Sequence, residues 1–82
     1  MDLENKLKKV RKSQKVTQLE LAQQVGVSRQ SIYAIEASKS EPSLSLALKI
    51  SKVLSVPVDE IFWLSGEKHT GLGEEISPFT IF

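Results

Sequence analysis

Thr17-Gln18-Leu19-Glu20-Leu21-Ala22, then Gly26-Val27-Ser28, then Arg29-Gln30-Ser31-Ile32 is the stretch on which the fold turns. Thr17 and Glu20 make a capping box: the Thr17 hydroxyl accepts from the backbone N–H of residue 20, and the Glu20 carboxylate accepts from that of residue 17. A helix therefore starts at Gln18 and buries Leu21 and Val25. Gly26 ends it by taking a left-handed backbone conformation that a β-carbon disfavours. Ser28 offers a second N-cap two residues later. The helix it opens, over about 29–37, places Ile32 and Ile35 on its inner face. Two helices joined through so few residues must cross steeply. Ala22 is small enough to let the second helix approach, and Val27 plugs the angle between them.

Outward from this pair the chain reads as further short helices. Leu3, Leu7 and Val10 recur at helical spacing and predict a first helix over about 2–13, with lysines on its other faces. Pro42 restrains Glu41 to extended conformations and marks a loop from Ser38. Ser43 caps a fourth helix over about 44–54, with Leu44, Ala47, Leu48, Ile50 and Leu54 expected toward the core. Ser55-Val56-Pro57 breaks it. Asp59 and Glu60 suit the positive end of a short fifth helix carrying Ile61, Phe62 and Leu64. Five helices with short loops predict an all-α orthogonal bundle over residues 1–64. Residues 65–82 read as an extension, loosened by Gly66, Gly71 and Gly73. Its apolar end (Ile76, Phe79, Ile81, Phe82) is expected to pair as a strand across a dimer axis, to tuck into a groove, or to fray.

Composition narrows the chemistry. The 82 residues are 40% hydrophobic and 26% charged, as in ordinary globular domains, and no apolar run approaches the roughly 20 residues of a membrane span. A cytoplasmic protein is expected, with no secretory signal. Without cysteine there is no disulfide, thiolate metal site or cysteine nucleophile. The one histidine, His69, lies among Gly, Lys and Thr and reads as a solvated loop residue. No paired carboxylates, nucleophile with base or phosphate-cradling glycine loop is visible, so no enzyme, metal or cofactor is expected. Net charge is +1, unevenly spread: residues 1–16 carry six basic side chains against two acids. That cluster (Lys6, Lys8, Lys9, Arg11, Lys12, Lys15) reads either as a solvated helix face or as an attraction for an anionic partner.

Taken as a window from Gln18 to Ala37, the chain fits the helix-turn-helix pattern. Ala22 holds its fifth place and Gly26 its ninth, with Leu21, Val25, Val27, Ile32 and Ile35 at its apolar places. Residues 3–64, about three-quarters of the chain, resemble the Xre/Cro (lambda- and 434-repressor-like) family of prokaryotic and phage regulators. The resemblance is carried by Thr17 to Ala22, Gly26-Val27-Ser28, Ser31-Ile32, Ile35-Glu36, Pro42-Ser43-Leu44 and Val58 to Phe62.

It implies a DNA-binding transcriptional regulator, a repressor more than an activator, with its third helix in the major groove of a palindromic operator. Gln18 is similar to the family glutamine that touches phosphate and braces the recognition helix. Ser28 is placed for phosphate at the helix start. Arg29 suits the O6/N7 edge of guanine and Gln30 the N6/N7 edge of adenine, each worth about 1–3 kcal/mol of discrimination. Tyr33 and Ala34 lie one turn on. Tyr33 either contacts DNA or packs against the fourth helix or the loop. Lys39 and Ser40 follow where relatives meet phosphate, and Arg11 and Glu36 stand where some relatives form a salt bridge. Ser38 replaces a common glycine, so that turn is expected to be strained or differently shaped. Pro57 replaces a capping hydroxyl, and Ala37 offers no side-chain contact to phosphate.

A homodimer is expected, because one module reads too few base pairs for useful specificity. It would act in the cytoplasm, on the nucleoid, and be controlled by concentration or a protein partner rather than a dedicated effector domain. The alternative function is an antitoxin-like interaction module whose apolar tail masks a partner protein.

Overall fold

The structure, a computed structural model, describes residues 3–66. The readings placed on His69 and on the apolar end of the extension lie outside these residues. In chain order the elements are β1 (Leu3–Asn5), α1 (Leu7–Ser13), α2 (Gln18–Val25), α3 (Arg29–Glu36), α4 (Leu44–Leu54), α5 (Val58–Ile61) and β2 (Phe62–Leu64). Five helices make the body of the fold. A two-stranded antiparallel sheet joins its ends, with Leu3 opposite Leu64, Glu4 opposite Trp63 and Asn5 opposite Phe62.

Helix starts follow the side chains that can satisfy otherwise unpaired N–H groups. Thr17 Oγ1 accepts from the Glu20 N–H at 3.0 Å, and Glu20 Oε1 accepts from the Thr17 N–H at 2.8 Å. Ser28 accepts from the Ser31 N–H, and Ser43 from the Leu46 N–H, both at 3.1 Å. Gly26 has φ +81° and donates to the Ala22 carbonyl at 2.8 Å, which closes α2. At α5, Pro57 gives no side-chain cap, and the helix is a single turn.

The first helix begins later than the apolar stripe predicts. Leu3 belongs to a strand, and α1 starts at Leu7, where the Asn5 carboxamide oxygen accepts from the Leu7 N–H at 3.0 Å. The Leu3–Leu7–Val10 spacing fits a helix locally. A distant partner, residues 62–64, competes for the same backbone and wins. The Lys6 N–H continues the pairing onto the Ile61 carbonyl at 2.9 Å. Correspondingly, Phe62 and Leu64 lie on a strand rather than on the fifth helix. Phe62 is buried, Trp63 is half-buried and Leu64 is exposed.

The core gathers one to three apolar side chains from every helix. Leu7, Leu21, Ile32, Ile50, Leu54 and Ile61 are essentially sealed from solvent, with Val10, Ala22, Val25, Ile35, Ala47 and Phe62 around them. On α4 the buried stripe is Ala47, Ile50 and Leu54, flanked by half-buried Leu46 and Val53. Leu44 and Leu48, expected inside, are 74% and 50% exposed. They form their own i, i+4 row beside the buried one. Apolar periodicity alone cannot tell which of two adjacent rows faces the neighbours.

Candidate nucleic-acid interface

α3 is anchored from below and open above. Ile32 and Ile35 are buried at 0% and 2% exposure, while Ser28, Arg29, Gln30 and Tyr33 are exposed and Ala34 is half-buried. The junction residues do as their types suggest. Ala22 is 1% exposed against the core, Val27 is packed on it, and Gly26 takes the left-handed turn. A β-carbon at Gly26 would meet nothing within 4 Å. Glycine is therefore required there by backbone conformation and not by crowding.

One polar chain ties the first three helices together. Arg11, on α1, is buried yet donates from Nε to Glu36 Oε2 at 2.7 Å and from Nη2 to Glu36 Oε1 at 3.1 Å. Its Nη1 donates to the Val16 carbonyl at 2.8 Å. Glu36 Oε1 accepts also from Gln18 Nε2 at 3.0 Å, and Gln18 Oε1 accepts from Arg29 Nη1 at 3.2 Å. Gln18, first residue of α2, thus grips both the last and the first residue of α3. A planar guanidinium meeting a carboxylate through two N–H donors fixes orientation as well as distance. The side chains of Arg11 and Glu36 are 7% and 4% exposed, so solvent screens the pair little.

Beyond α3 the chain stays close to it. The N–H groups of Lys39 and Ser40 both donate to the Ala34 carbonyl, at 2.8 and 3.3 Å. Ser38, in the place of a common glycine, has φ +60°, so the turn keeps the left-handed form and a serine bears its cost. Lys39 Nζ lies 5.8 Å from the centre of the Tyr33 ring, a cation–π distance. Tyr33 remains 49% exposed, with a loop lysine over its ring.

Sequence reasoning missed Asn5. Its Nδ2 donates to the Ile35 carbonyl at 3.0 Å while its Oδ1 accepts from the Leu7 N–H. One side chain therefore satisfies the Leu7 N–H at the start of α1 and adds a second donor to the Ile35 carbonyl at the end of α3, which also accepts from the Ser38 N–H at 3.1 Å. An Asn two residues before an apolar helical run was the available signal. It was obscured because the Leu3–Leu7 stripe runs the helix straight through it.

The exposed face gathers Arg29, Gln30 and Tyr33 on a helix whose N-terminus is unobstructed, with Ser28 and Gln18 at one end and Lys39 and Ser40 at the other. Helix N-termini favour anions, and these side chains are donors suited to phosphates and base edges. Residues 7–61 match the helix-turn-helix family HTH_3. An uncharacterised HTH-type transcriptional regulator of Methanocaldococcus jannaschii is 50% identical over 60 residues, which cover 73% of this chain and 91% of that protein. The HTH-type transcriptional regulator YgzD of Bacillus subtilis, also uncharacterised, is 43% identical over 65 residues, covering 79% of this chain and 98% of its own length. The HTH-type transcriptional activator BcrR of Enterococcus faecalis is 39% identical over 74 residues, 90% of this chain but 35% of BcrR. The chain belongs to the Cro/C1-type (Xre) helix-turn-helix family of transcriptional regulators.

Proposed function

We propose that the chain is a sequence-specific repressor that lays α3 in the major groove of a palindromic operator as a homodimer. The observation that carries this reading is the division of α3: Ile32 and Ile35 are sealed in the core while Arg29, Gln30 and Tyr33 stand in solvent. Arg29 and Gln30 read base edges, with Tyr33 and Ala34 one turn further along. Ser28, Gln18, Lys39 and Ser40 hold the phosphates on either side and set the register. The Arg11–Glu36–Gln18–Arg29 chain supports this arrangement by holding the donors before DNA arrives. Preorganised donors lose less conformational freedom on binding.

Dimerisation is supported by Leu44 and Leu48, exposed one turn apart on α4, which a second copy would cover. Two recognition helices about 34–36 Å apart would then meet successive turns of the duplex. Occupancy of the operator is sufficient to block transcription, so the protein acts by binding and not by catalysis. No helix among the described residues is long and apolar enough to cross a membrane.

Selection of bound duplexes from a randomised pool tests the proposal. It yields a consensus of two inverted half-sites, one helical turn apart. A consensus with no symmetry would refute the dimer, and no enrichment of any sequence would refute base reading by α3.

A further inference from the structure

An open cleft of about 530 Å³ lies beside the recognition helix, between the end of α1 and the start of α2. It is lined by Lys12, Lys15, Gln18 and Arg29, together with Arg11, Val16, Thr17 and Leu19. No acidic residue lines it. Arg11 is fully committed to Glu36 and the Val16 carbonyl, so its charge is matched. Glu20, the acid nearest in sequence, is held by the Thr17 N–H. Lys12 and Lys15 are exposed, and neither has an ion-pair partner among the described residues. Two unmatched ammonium groups therefore share a concave wall with Gln18 and Arg29, at the edge of the surface proposed to meet DNA.

The placement of Lys15 is set by backbone. Its N–H donates to the Lys12 carbonyl at 3.0 Å, the Val16 N–H donates to the Arg11 carbonyl at 3.1 Å, and φ is +59°. The turn that closes α1 thus brings residue 15 back beside residue 12. Lys8 and Lys9, earlier on α1, are exposed as well but do not line the cleft.

The geometry points to this cleft as a DNA phosphate site, in which Lys12 and Lys15 grip the backbone beside the bases that α3 reads. The inference rests on the DNA-binding reading above and deepens it. Of the six basic side chains in the first sixteen residues, Lys12 and Lys15 become functional by this account, while Lys8 and Lys9 remain solvated. Phosphate neutralisation by lysine releases condensed counterions and carries no sequence preference. Lys12 and Lys15 therefore strengthen binding to every duplex alike and make it salt-dependent.

The test is equilibrium binding of the full chain to a pool of randomised duplexes across a range of salt. Each lost phosphate contact flattens the slope of log affinity against log salt by about 0.9. As salt rises fourfold, from about 50 to 200 mM, the wild type should lose about 12-fold more affinity per bound protomer than Lys12→Gln/Lys15→Gly. Glycine at residue 15 removes the ammonium and also relieves the left-handed backbone, so this variant should melt no lower than Lys12→Gln alone. Lys8→Gln/Lys9→Gln should retain the wild-type slope. If the wild type binds and Lys12→Gln/Lys15→Gly keeps its slope, the phosphate site is wrong and the DNA-binding reading stands. Equal flattening in both double variants would also overturn it, since charge alone would then account for the effect. If the wild type binds neither the pool nor selected duplexes, the underlying reading falls and the inference with it.

Discussion

Removing Glu36 should destabilise the fold far more than removing Glu36 together with Arg11. Both side chains are more than nine-tenths buried, and Arg11 engages the carboxylate through two N–H donors. In Glu36→Leu the guanidinium keeps only the Val16 carbonyl, and a positive charge is left in the interior without its counterion. Breaking such a pair from one side costs about 3–5 kcal/mol. A domain of roughly 60 residues is stable by only about 3–9 kcal/mol in total, so the single variant should lie near its unfolding midpoint in dilute buffer. Arg11→Met should behave similarly, because Glu36 then keeps only the Gln18 carboxamide.

The double variant Arg11→Met/Glu36→Leu buries no charge. It forfeits the Arg11 bond to Val16 and the Gln18 bond to Glu36, each worth about 1 kcal/mol. It should therefore be about 1–2 kcal/mol less stable than the wild type and clearly more stable than either single variant. Urea unfolding followed by far-ultraviolet circular dichroism gives the four free energies of the cycle. The expected interaction energy exceeds about 2 kcal/mol. If the two single losses simply add in the double variant, Arg11 and Glu36 are not coupled and the ordering of α3 through them is wrong. The double variant should also bind DNA more weakly than its stability suggests, since Gln18 loses the partner that aligns it with Arg29.

Three further outcomes are expected. Gly26→Ala should cost about 1 kcal/mol, because the left-handed penalty of about 1–2 kcal/mol is partly offset by a stiffer unfolded chain; no atom obstructs the new β-carbon, so a loss above about 3 kcal/mol by thermal melting would mean that packing also matters there. Asn5→Ala should lose about 1–3 kcal/mol through its two bonds to α1 and α3, and Asn5→Asp should recover only the α1 part of that loss in urea unfolding, since a carboxylate can accept from the Leu7 N–H but cannot donate to the Ile35 carbonyl. Arg29→Ala should relax base preference at one position per half-site at a cost of about 1–3 kcal/mol, whereas Lys39→Ala should weaken binding to all duplexes equally; a uniform loss from Arg29→Ala in competition binding would place Arg29 on phosphate instead.

Local chemistry made much of this protein legible before any coordinates. The capping box at Thr17 and Glu20, the left-handed Gly26 and the hydroxyl caps at Ser28 and Ser43 each act within one helical turn. Their types and spacing therefore locate the starts of α2, α3 and α4 and the turn between α2 and α3. The outward placement of Arg29 and Gln30 follows from the inward placement of Ile32 and Ile35 for the same reason, since the helical period relates them.

Contacts between residues far apart in the chain were settled only by the tertiary structure. Leu3 looks helical beside Leu7, yet pairs with Leu64 because a β-ladder offers its backbone partners that a fraying first turn lacks. Leu44 and Leu48 are as apolar as Ile50, and only the positions of neighbouring helices leave them in solvent. Asn5 reaching Ile35, and Lys12 meeting Lys15 and Arg29 around one cleft, depend on how whole elements dock. Sequence periodicity tells which side of a helix is apolar. It does not tell what stands opposite, and burial and interhelical bonding depend on that.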